Sequence, residues 1–237
     1  MNALIGHTGF VGSTLARLHT FDACFNRSNL EALAAGHDLV VCAGAPGTKW
    51  IANQDPAGDR AAIDRLECAL DRLGQTRMIL ISTVDVFATP YDVDEDSVPE
   101  PTQPYGRHRL ELERFVRARF PDATIARLPA LVGPGLRKNA LYDLCHDHAV
   151  DRLDARAVFQ VYPVERLWRD LQGAPPLIHL VAEPLALGDI ARVAFGRTLA
   201  EGVGTPARYD VRSLHKPPVS TAESLAAITR YARTEPR

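Results

Sequence analysis

Three glycines at the start of the chain have the type and spacing to hold a diphosphate. Gly6, Gly9 and Gly12 follow a short apolar stretch, and a helical apolar pattern begins directly after them. In such a turn one glycine permits the bend, one lets the backbone approach phosphates, and one lets helix and strand pack closely. The helix start adds N–H groups and its positive dipole end. This pattern predicts a dinucleotide site, with a purely structural glycine turn as the alternative. The residues predicted to line the site are Gly6, Thr8, Gly9, Phe10, Val11 and Gly12.

The end of the next apolar stretch indicates which dinucleotide is bound. A site for NAD normally has an Asp or Glu about 20 residues after the first glycine, where it binds the ribose hydroxyls. This chain has Phe25-Asn26-Arg27-Ser28 there, with no carboxylate. A guanidinium and a hydroxyl suit a ribose 2′-phosphate. We therefore predict NADP(H) as the preferred cofactor, bound by Asn26, Arg27 and Ser28. NAD(H) stays open as the alternative if Arg27 is simply one of many surface arginines.

Apolar stretches alternate with helical patterns through the first half of the chain. Stretches rich in Val and Ile that are separated by helices predict a doubly wound, Rossmann-like α/β fold, with a parallel sheet covered on both faces. Ligands bind such sheets at the carboxyl ends of the strands, where the small residues Ala43, Gly44 and Ala45 would let the backbone lie close to a cofactor. The predicted strands cover 2–5, 23–26, 38–43, 77–82 and 123–128, and the predicted helices cover 10–19, 29–36, 56–73 and 104–119.

The pattern changes at Gly133-Pro134-Gly135, a clear break in the chain. We predict a dinucleotide-binding domain over 1–133 and a small C-terminal α/β substrate lobe over 134–237, interleaved with it; a single domain is the alternative. Beyond the break, helices are predicted over 138–149, 187–200 and 220–233, and strands over 157–161, 177–182 and 207–212.

Composition excludes several classes of protein. The chain has 237 residues, 46% hydrophobic and 24% charged, with a net charge of −2. These values are typical of a globular protein and do not favour binding to nucleic acid or a membrane surface. No apolar stretch approaches the roughly 18 residues of a membrane helix, and Met1 leads directly into the first predicted strand, so we expect a cytoplasmic protein. The four cysteines are scattered and His146-Asp147-His148 lacks companion ligands, so no metal site is predicted.

Five ordered motifs resemble those of the extended short-chain dehydrogenase/reductases, the NAD(P)-dependent epimerase/dehydratase group of nucleotide-sugar enzymes. The motifs are the glycine triplet, Ala43-Gly-Ala, Ile81-Ser-Thr-x-x-Val-Phe87, Pro104-Tyr-Gly-x-x-Arg109 and Arg127-Leu-Pro-Ala-Leu-Val-Gly-Pro-Gly135. Each motif is modest alone, but together they follow the family order from residue 1 to about residue 140. The remainder of the chain matches only loosely.

The resemblance implies roles for residues near Tyr105. Tyr105 would exchange a proton with a carbinol or carbonyl oxygen, Thr83 would hydrogen-bond that oxygen, and Pro129 would contact the cofactor. A phenol has an ordinary pKa of about 10 and needs a nearby cation. In the family this cation is a Lys one helical turn after the Tyr, which also holds the ribose. Here that position is Arg109, which keeps the charge but cannot give up a proton. We expect Arg109 to bind the ribose and to lower the pKa of Tyr105.

Five residues are predicted to lie on the substrate side. Lys49 follows the third strand in a chain with three lysines among its 27 basic residues, and it could bind a phosphate, act as an acid or base, or simply be a surface residue. By resemblance, the other four substrate residues are Asp85, Arg137, Asn139 and Gln160.

These observations predict an NADP(H)-dependent oxidoreductase or epimerase that acts on a keto or hydroxy group, most simply of a nucleotide-linked sugar. The alternatives are a non-catalytic NADP(H)-binding regulatory or partner protein, which Arg109 favours, and a reductase of a small non-nucleotide metabolite, which the neutral Gln160 favours. By resemblance, helix 104–119 is a candidate homodimer face.

Overall fold

The computed structural model describes residues 1–235. The strands are β1 (Asn2–Ile5), β2 (Ala23–Phe25), β3 (Leu39–Cys42), β4 (Arg77–Thr83), β5 (Tyr91–Val93), β6 (Thr124–Leu128), β7 (Ala130–Val132), β8 (Val158–Pro163), β9 (Leu177–His179), β10 (Pro184–Ala186) and β11 (Asp210–Val211). The α-helices are α1 (Phe10–Leu18), α2 (Lys49–Gln54), α3 (Pro56–Asp71), α4 (Pro104–Arg119), α5 (Ala140–His146), α6 (Leu167–Leu171), α7 (Leu187–Phe195) and α8 (Thr221–Thr234). Short 3-10 helices cover Leu30–Ala32, Val84–Val86, Val150–Arg152 and Val164–Arg166.

The chain forms two compact units, each made of three segments. The first unit comprises Met1–Ala88, Ser97–Arg127 and Trp168–Ile178, and the second comprises Thr89–Asp96, Leu128–Leu167 and, within the described residues, 179–235. The predicted division into domains over 1–133 and 134–237 stays a prediction.

The first unit is built on a six-stranded sheet with the order β2-β1-β3-β4-β6-β9. The pairings of β1 with β2, of β1 with β3 and of β3 with β4 are parallel. Because β2 and β3 lie on opposite sides of β1, the strand order reverses there, and ligands of open α/β sheets bind at the carboxyl ends of the strands at such a reversal. The predicted doubly wound α/β fold is confirmed.

The sheet is apolar because both of its faces are covered. Val40, Val41 and Cys42 of β3 have no exposed surface, and Ala3 and Leu4 of β1 are equally buried. A strand that is buried on both faces needs apolar side chains in consecutive positions, which explains the short continuous stretches seen in the sequence. One cluster of this core also includes Ile63, Leu66 and Leu70 of α3 and Leu112 and Val116 of α4.

The predicted helix over 29–36 is wrong, since only Leu30–Ala32 forms a short 3-10 turn. The side chain of Asn29 folds back on β2, where it donates to the Cys24 carbonyl at 3.2 Å and accepts from Asn26 N at 2.7 Å. It therefore does not cap a helix, and Gly36, with φ +107°, ends any helical path soon afterwards. The chain consequently passes from β2 to β3 without a regular helix.

Two later helices are shorter than predicted, and each ends at a left-handed residue. The helix predicted over 187–200 ends at Phe195, because Gly196 has φ +65° and caps it. The helix predicted over 138–149 spans Ala140–His146 and is capped by Asp147 with φ 55°. A residue in the left-handed region satisfies the last carbonyls and turns the chain away from the helix axis.

The second unit contains a three-stranded sheet with the order β10-β8-β7 and a two-stranded sheet of β11 and β5. β8 pairs antiparallel with β10 and parallel with β7. One apolar cluster joins Leu144 of α5 to Leu187 and Ala191 of α7. Within residues 1–235, no helix combines the length and the apolar character that crossing a bilayer requires.

Candidate cofactor and catalytic site

The glycine turn between β1 and α1 has a geometry that only glycine accommodates. Gly6 has φ +89°, and a Cβ atom built on it would clash with the backbone of Ala43 and Gly44. A Cβ atom on Gly12 would clash with the Gly6 carbonyl. The first glycine therefore permits the bend and the close approach of β3, and the last one lets α1 pack against the turn.

The ends of three strands meet at this turn. Gly6 N donates to the Phe25 carbonyl at 2.7 Å, and Ala43 N donates to the Ile5 carbonyl at 2.9 Å. α1 begins at Phe10 with Gly9 as its N-cap, and neither a capping side chain nor an acidic residue occupies its first turn. The absence of side chains on the glycines thus leaves open space at the turn, and the N-terminus of α1 beside it can bind phosphates through its N–H groups. These features fit a dinucleotide.

The segment after β2 is ordered by its own side chains. Asn26 Oδ1 accepts from Ser28 N at 2.8 Å and from Ser28 Oγ at 2.7 Å. Arg27 is exposed, and within the described residues 1–235 it has no ion pair or hydrogen bond of its own. Its charge is therefore available to a phosphate, while Asn26 and Ser28 set the course of the loop that carries it.

Tyr105 and Thr83 lie together at the start of α4 and the end of β4. The Thr83 side chain interacts with the Tyr105 phenol and lowers its pKa, and Tyr105 and Thr83 are only 9% and 8% exposed. Thr83 Oγ1 also accepts from Asp85 N at 3.1 Å. Tyr105 N donates to Asn53 Oδ1 at 3.0 Å, which anchors the first turn of α4 to α2. The motifs that contain Thr83 and Tyr105 thus place two hydroxyls at one point.

Gly106 lets the 3-10 helix Val84–Val86 lie against α4. A Cβ atom on Gly106 would clash with the Asp85 carbonyl oxygen and approach Pro101 Cβ at 2.9 Å. The glycine next to Tyr105 is therefore required by close packing, which keeps the backbone of Asp85 beside the first turn of α4.

Arg109 is held by other residues of the first unit. Its guanidinium donates to both carboxylate oxygens of Asp59, at 2.5 and 2.9 Å, and to the Pro46 carbonyl. Both side chains of this ion pair are 3% exposed. His108 Nδ1 also lies 2.7 Å from Asp59 Oδ2. The guanidinium carbon is 4.3 Å from the Tyr105 ring centroid, so the cation lies over the ring face.

As expected, Arg109 lowers the pKa of Tyr105, but the net pKa lies above its usual range. Burial raises the pKa of Tyr105 and outweighs the opposing effect of Arg109. The guanidinium is largely neutralised by Asp59, so its charge counts for less at the phenol. The role of Arg109 in holding a ribose stays a prediction.

A second buried ion pair fastens α4 to the sheet. Arg127 of β6 donates to Glu113 of α4 through Nε at 3.0 Å and through Nη2 at 2.6 Å. Ser82 Oγ donates to the same carboxylate at 2.5 Å. Glu113 and Arg127 are 2% and 3% exposed. Because Ser82 precedes Thr83, this contact fixes the end of β4 relative to the helix that carries Tyr105.

Lys49 is the first residue of α2, a helix that the apolar pattern did not predict. Its Nζ atom lies 2.6 Å from Asp85 Oδ1, and the two side chains are 44% and 18% exposed. Two predicted substrate residues are therefore in contact with each other, and Asp85 is in turn bonded to Thr83. The segment that connects β3 to α2 begins with the predicted cofactor residues Ala43, Gly44 and Ala45.

The other predicted residues belong to the second unit. Pro129 joins β6 to β7, and Arg137 is exposed. Asn139 caps α5 by accepting from Leu141 N and Tyr142 N. Gln160 is buried, and its amide donates to the Ala182 and Val211 carbonyls and accepts from Val211 N. These contacts give Asn139 and Gln160 structural roles; their substrate roles stay predictions.

Two residues that matter at this site were not among the predicted ones. Asp59 holds Arg109, and Asn53 holds the Tyr105 backbone. A sequence signal existed only for Asp59, because an Arg at the position of a catalytic Lys calls for a carboxylate partner once it is buried. Nothing in the sequence near Asn53 indicates a contact 52 residues away.

The sequence matches no protein-family model and no curated protein, whereas the fold is shared by many solved structures. UDP-glucose 4-epimerase from Thermotoga maritima is 16% identical, with a TM-score of 0.75 over 98% of this chain and 99% of that one. RMD from Pseudomonas aeruginosa, complexed with NADPH, is 17% identical, with a TM-score of 0.74 over 99% and 100%. The dTDP-glucose 4,6-dehydratase from Streptomyces venezuelae, with NAD and TYD bound, is 19% identical, with a TM-score of 0.75 over 98% and 97%. At these identities the likeness establishes the fold.

Proposed function

We propose that this chain is an NADP(H)-dependent oxidoreductase that acts on a keto or hydroxy group of a nucleotide-linked sugar. The observation that carries the proposal is the pair of buried hydroxyl side chains, Tyr105 and Thr83, which interact at the carboxyl end of β4. The glycine turn lies at the carboxyl end of β1 in the same parallel sheet. Folds of the same kind are found in enzymes with NADPH, NAD and UDP-glucose, which supports the choice of cofactor and substrate class.

The glycine turn and the segment after β2 would hold the cofactor. Gly6 and Gly12 keep the space for the diphosphate free of side chains. The N–H groups at the start of α1, which no side chain caps, would bind the phosphates. Arg27 would pair with the ribose 2′-phosphate. The bound cofactor supplies or accepts the hydride. Preference for NADP(H) over NAD(H) is part of the proposal, because no carboxylate stands at the end of β2 to repel the phosphate.

Tyr105 is proposed as the proton donor. Burial keeps the pKa of Tyr105 above its usual range, so the phenol carries its proton at neutral pH. A protonated phenol can give its proton to a carbonyl oxygen, which becomes the alcohol oxygen, and a phenolate remains. The Thr83 hydroxyl would hold the same oxygen in place. This protonation state favours the reductive direction of the reaction.

A second candidate function has its own observation. Arg109 is committed to Asp59 and Pro46 and lies over the ring face of Tyr105. A site whose cation is neutralised in this way could bind NADP(H) without turnover, which describes a regulatory or partner protein.

The third alternative is a reductase of a small non-nucleotide metabolite. It is favoured by the hydrogen bonds of Gln160 to backbone groups, since Gln160 offers no cation to a diphosphate there. A homodimer through helix 104–119 and a cytoplasmic location stay predictions.

The first experiment is a calorimetric titration of the purified chain with NADPH and with NADH. The proposal expects NADPH to bind at least about tenfold more tightly, a difference of about 1.4 kcal/mol. The protein is then mixed with NADPH and UDP- or dTDP-linked keto sugars, and separately with small carbonyl compounds, while absorbance of the reduced nicotinamide is followed. Oxidation with a nucleotide sugar supports the proposal. Binding without any oxidation supports the regulatory alternative, and binding of neither dinucleotide rejects both.

A further inference from the structure

The first turn of α4, which carries Tyr105, lacks a cap of its own. The first N–H groups of a helix have no acceptor within the helix, and the side chain of the N-cap residue normally accepts from the second or third of them. The N-cap of α4 is Gln103, whose side chain makes no capping hydrogen bond, and Pro104 follows it without an N–H group. Tyr105 N, in the second helical position, therefore needs an acceptor from elsewhere in the chain.

Asn53 of α2 supplies that acceptor. Its Oδ1 atom accepts from Tyr105 N at 3.0 Å, across 52 residues of the chain. Asn is among the best capping residues, because its short side chain carries an oxygen that accepts from first-turn N–H groups. Asn53 thus does for α4, from a neighbouring helix, what an N-cap residue does within its own helix. The place of the turn that carries Tyr105 is therefore tied to α2.

α2 is itself fastened at both of its ends. Lys49, the first residue of α2, pairs through its ammonium with Asp85 at 2.6 Å. Lys49 and Asn53 are four residues apart, a spacing that puts both side chains on one side of the helix. Asp55 ends α2 and begins α3, where its side chain accepts from Gly58 N at 2.9 Å. These contacts give the Asn53 side chain a defined place.

The segment that leads to Asn53 starts at the predicted cofactor turn. The Ala43 backbone lies so close to Gly6 that a Cβ atom on Gly6 would clash with it. The chain then passes through Pro46, whose carbonyl accepts from Arg109 of α4, and continues into α2. This segment therefore connects the glycine turn at one end with the first turn of α4 at the other.

We propose that Asn53 is a positioning residue for Tyr105, which fixes the phenol relative to the cofactor turn by capping α4 from α2. The inference rests on the proposed function, in which Tyr105 is the proton donor. Asn53 bonds to the backbone of Tyr105, so it acts through the place of the phenol and not on the substrate. A reaction that joins proton and hydride transfer needs the phenol and the cofactor at a fixed separation, and a misplacement of about 1 Å can slow a reaction about 100-fold.

Hydrogen exchange of the Tyr105 amide in the full chain tests the cap directly. Asn53→Ala removes the acceptor, so the Tyr105 N–H should exchange at least about tenfold faster than in the wild type. Asn53→Asp keeps an oxygen acceptor in a side chain of nearly the same shape, and should keep the exchange slow. Ser220→Ala is the matched control, because the Ser220 side chain caps α8 in the second unit by accepting from Glu223 N at 3.3 Å. It should leave the exchange of the Tyr105 amide unchanged.

Kinetics then separate positioning from folding. The assay uses NADPH and the UDP- or dTDP-linked keto sugar that the wild-type chain reduces. Asn53→Ala should lower kcat at least about tenfold, while KM and the dissociation constant of NADPH change less than about twofold. Asn53→Asp should restore kcat to within about threefold of the wild-type value, because it restores the cap. A merely structural Asn53 would change the stability of the chain but not kcat of the folded protein, which is the result expected for Ser220→Ala.

The inference is overturned if Asn53→Ala leaves the Tyr105 amide exchange or kcat unchanged while circular dichroism shows a folded protein. It is also overturned if Ser220→Ala lowers kcat equally. If Asn53→Ala does not fold, Asn53→Gln takes its place, because it keeps the amide but moves the acceptor outward by one methylene group. The same loss of kcat is then expected, and an unchanged kcat rejects the role of Asn53.

The failure of this inference and the failure of the proposed function give different results. If the wild-type chain reduces no carbonyl substrate with NADPH, the proposed function fails and the positioning role fails with it, whatever the amide exchange shows. If the wild-type chain turns over while Asn53→Ala leaves kcat unchanged, the proposed function stands and the role of Asn53 is rejected.

Discussion

Replacing Asp59 by Asn should destabilise the first unit strongly. Asp59 is the only carboxylate among the described residues that accepts from the buried Arg109. The two nitrogen–oxygen distances between Arg109 and Asp59 are 2.5 and 2.9 Å, and each of the two side chains is 3% exposed. At about 3 Å and an effective dielectric constant of about 20, the gross attraction is about 6 kcal/mol. Most of this attraction compensates for the desolvation of both ions. Removing one partner leaves the other charge buried without compensation, which costs about 3–5 kcal/mol. Because Asn keeps a hydrogen-bond acceptor, we expect Asp59→Asn to lower the free energy of unfolding by about 3 kcal/mol.

Urea denaturation followed by tryptophan fluorescence measures this effect in the relevant part of the chain. Both tryptophans, Trp50 and Trp168, lie in the first unit together with Asp59. Asp64→Asn is the matched control, because Asp64 lies on the same helix and pairs with Arg60, but its side chain is 58% exposed. An exposed pair of this kind contributes about 0.5 kcal/mol or less. Equal free energies of unfolding for the two variants would refute the view that Asp59 holds the Arg109 charge.

The pH dependence gives a second check on the same pair. Burial by itself raises the pKa of Asp59, but hydrogen bonds from Arg109 and His108 bring it below its usual range in the folded protein. A carboxylate whose folded pKa is lowered stabilises the fold above its unfolded pKa of about 3.9, and this stability is lost as pH falls through the folded pKa. The difference in free energy of unfolding between wild type and Asp59→Asn should therefore be largest near neutral pH and shrink below about pH 4.

Three further substitutions test the site. Gly6→Ala should abolish dinucleotide binding or folding, because a Cβ atom would clash with Ala43. Gly36→Ala is the control: Gly36 has φ +107° but open space around it, so the free energy of unfolding should fall by only about 1–2 kcal/mol. Circular dichroism and urea denaturation compare the two variants. Tyr105→Phe should lower kcat at least about 100-fold and leave NADPH affinity unchanged in calorimetry, and unchanged turnover would remove Tyr105 from the mechanism. Arg27→Ala should weaken NADPH about tenfold or more with no change for NADH; an equal loss for both would assign Arg27 another role.

The sequence was sufficient for features that depend on neighbouring residues. Positive φ at Gly6 and the strand–turn–helix around it follow from local sterics, and the apolar stretches of β1, β3 and β4 follow from burial on both faces. The predicted helix over 29–36 failed because a side chain, that of Asn29, bonds back to β2. Local propensity does not contain such a contact.

The motif that contains Tyr105 and Thr83 indicated the chemistry, but the partners of its charges are set by packing. Arg109 meets Asp59 across 50 residues of chain, and Lys49 meets Asp85 across 36. These separations become contacts of less than 3 Å only because α2, α3 and α4 pack against one another. An electrostatic interaction depends on distance and burial, neither of which the order of residues specifies. The sequence alone therefore predicted the fold and a candidate phenol, Tyr105, and the tertiary structure decided which charged groups pair with one another beside it.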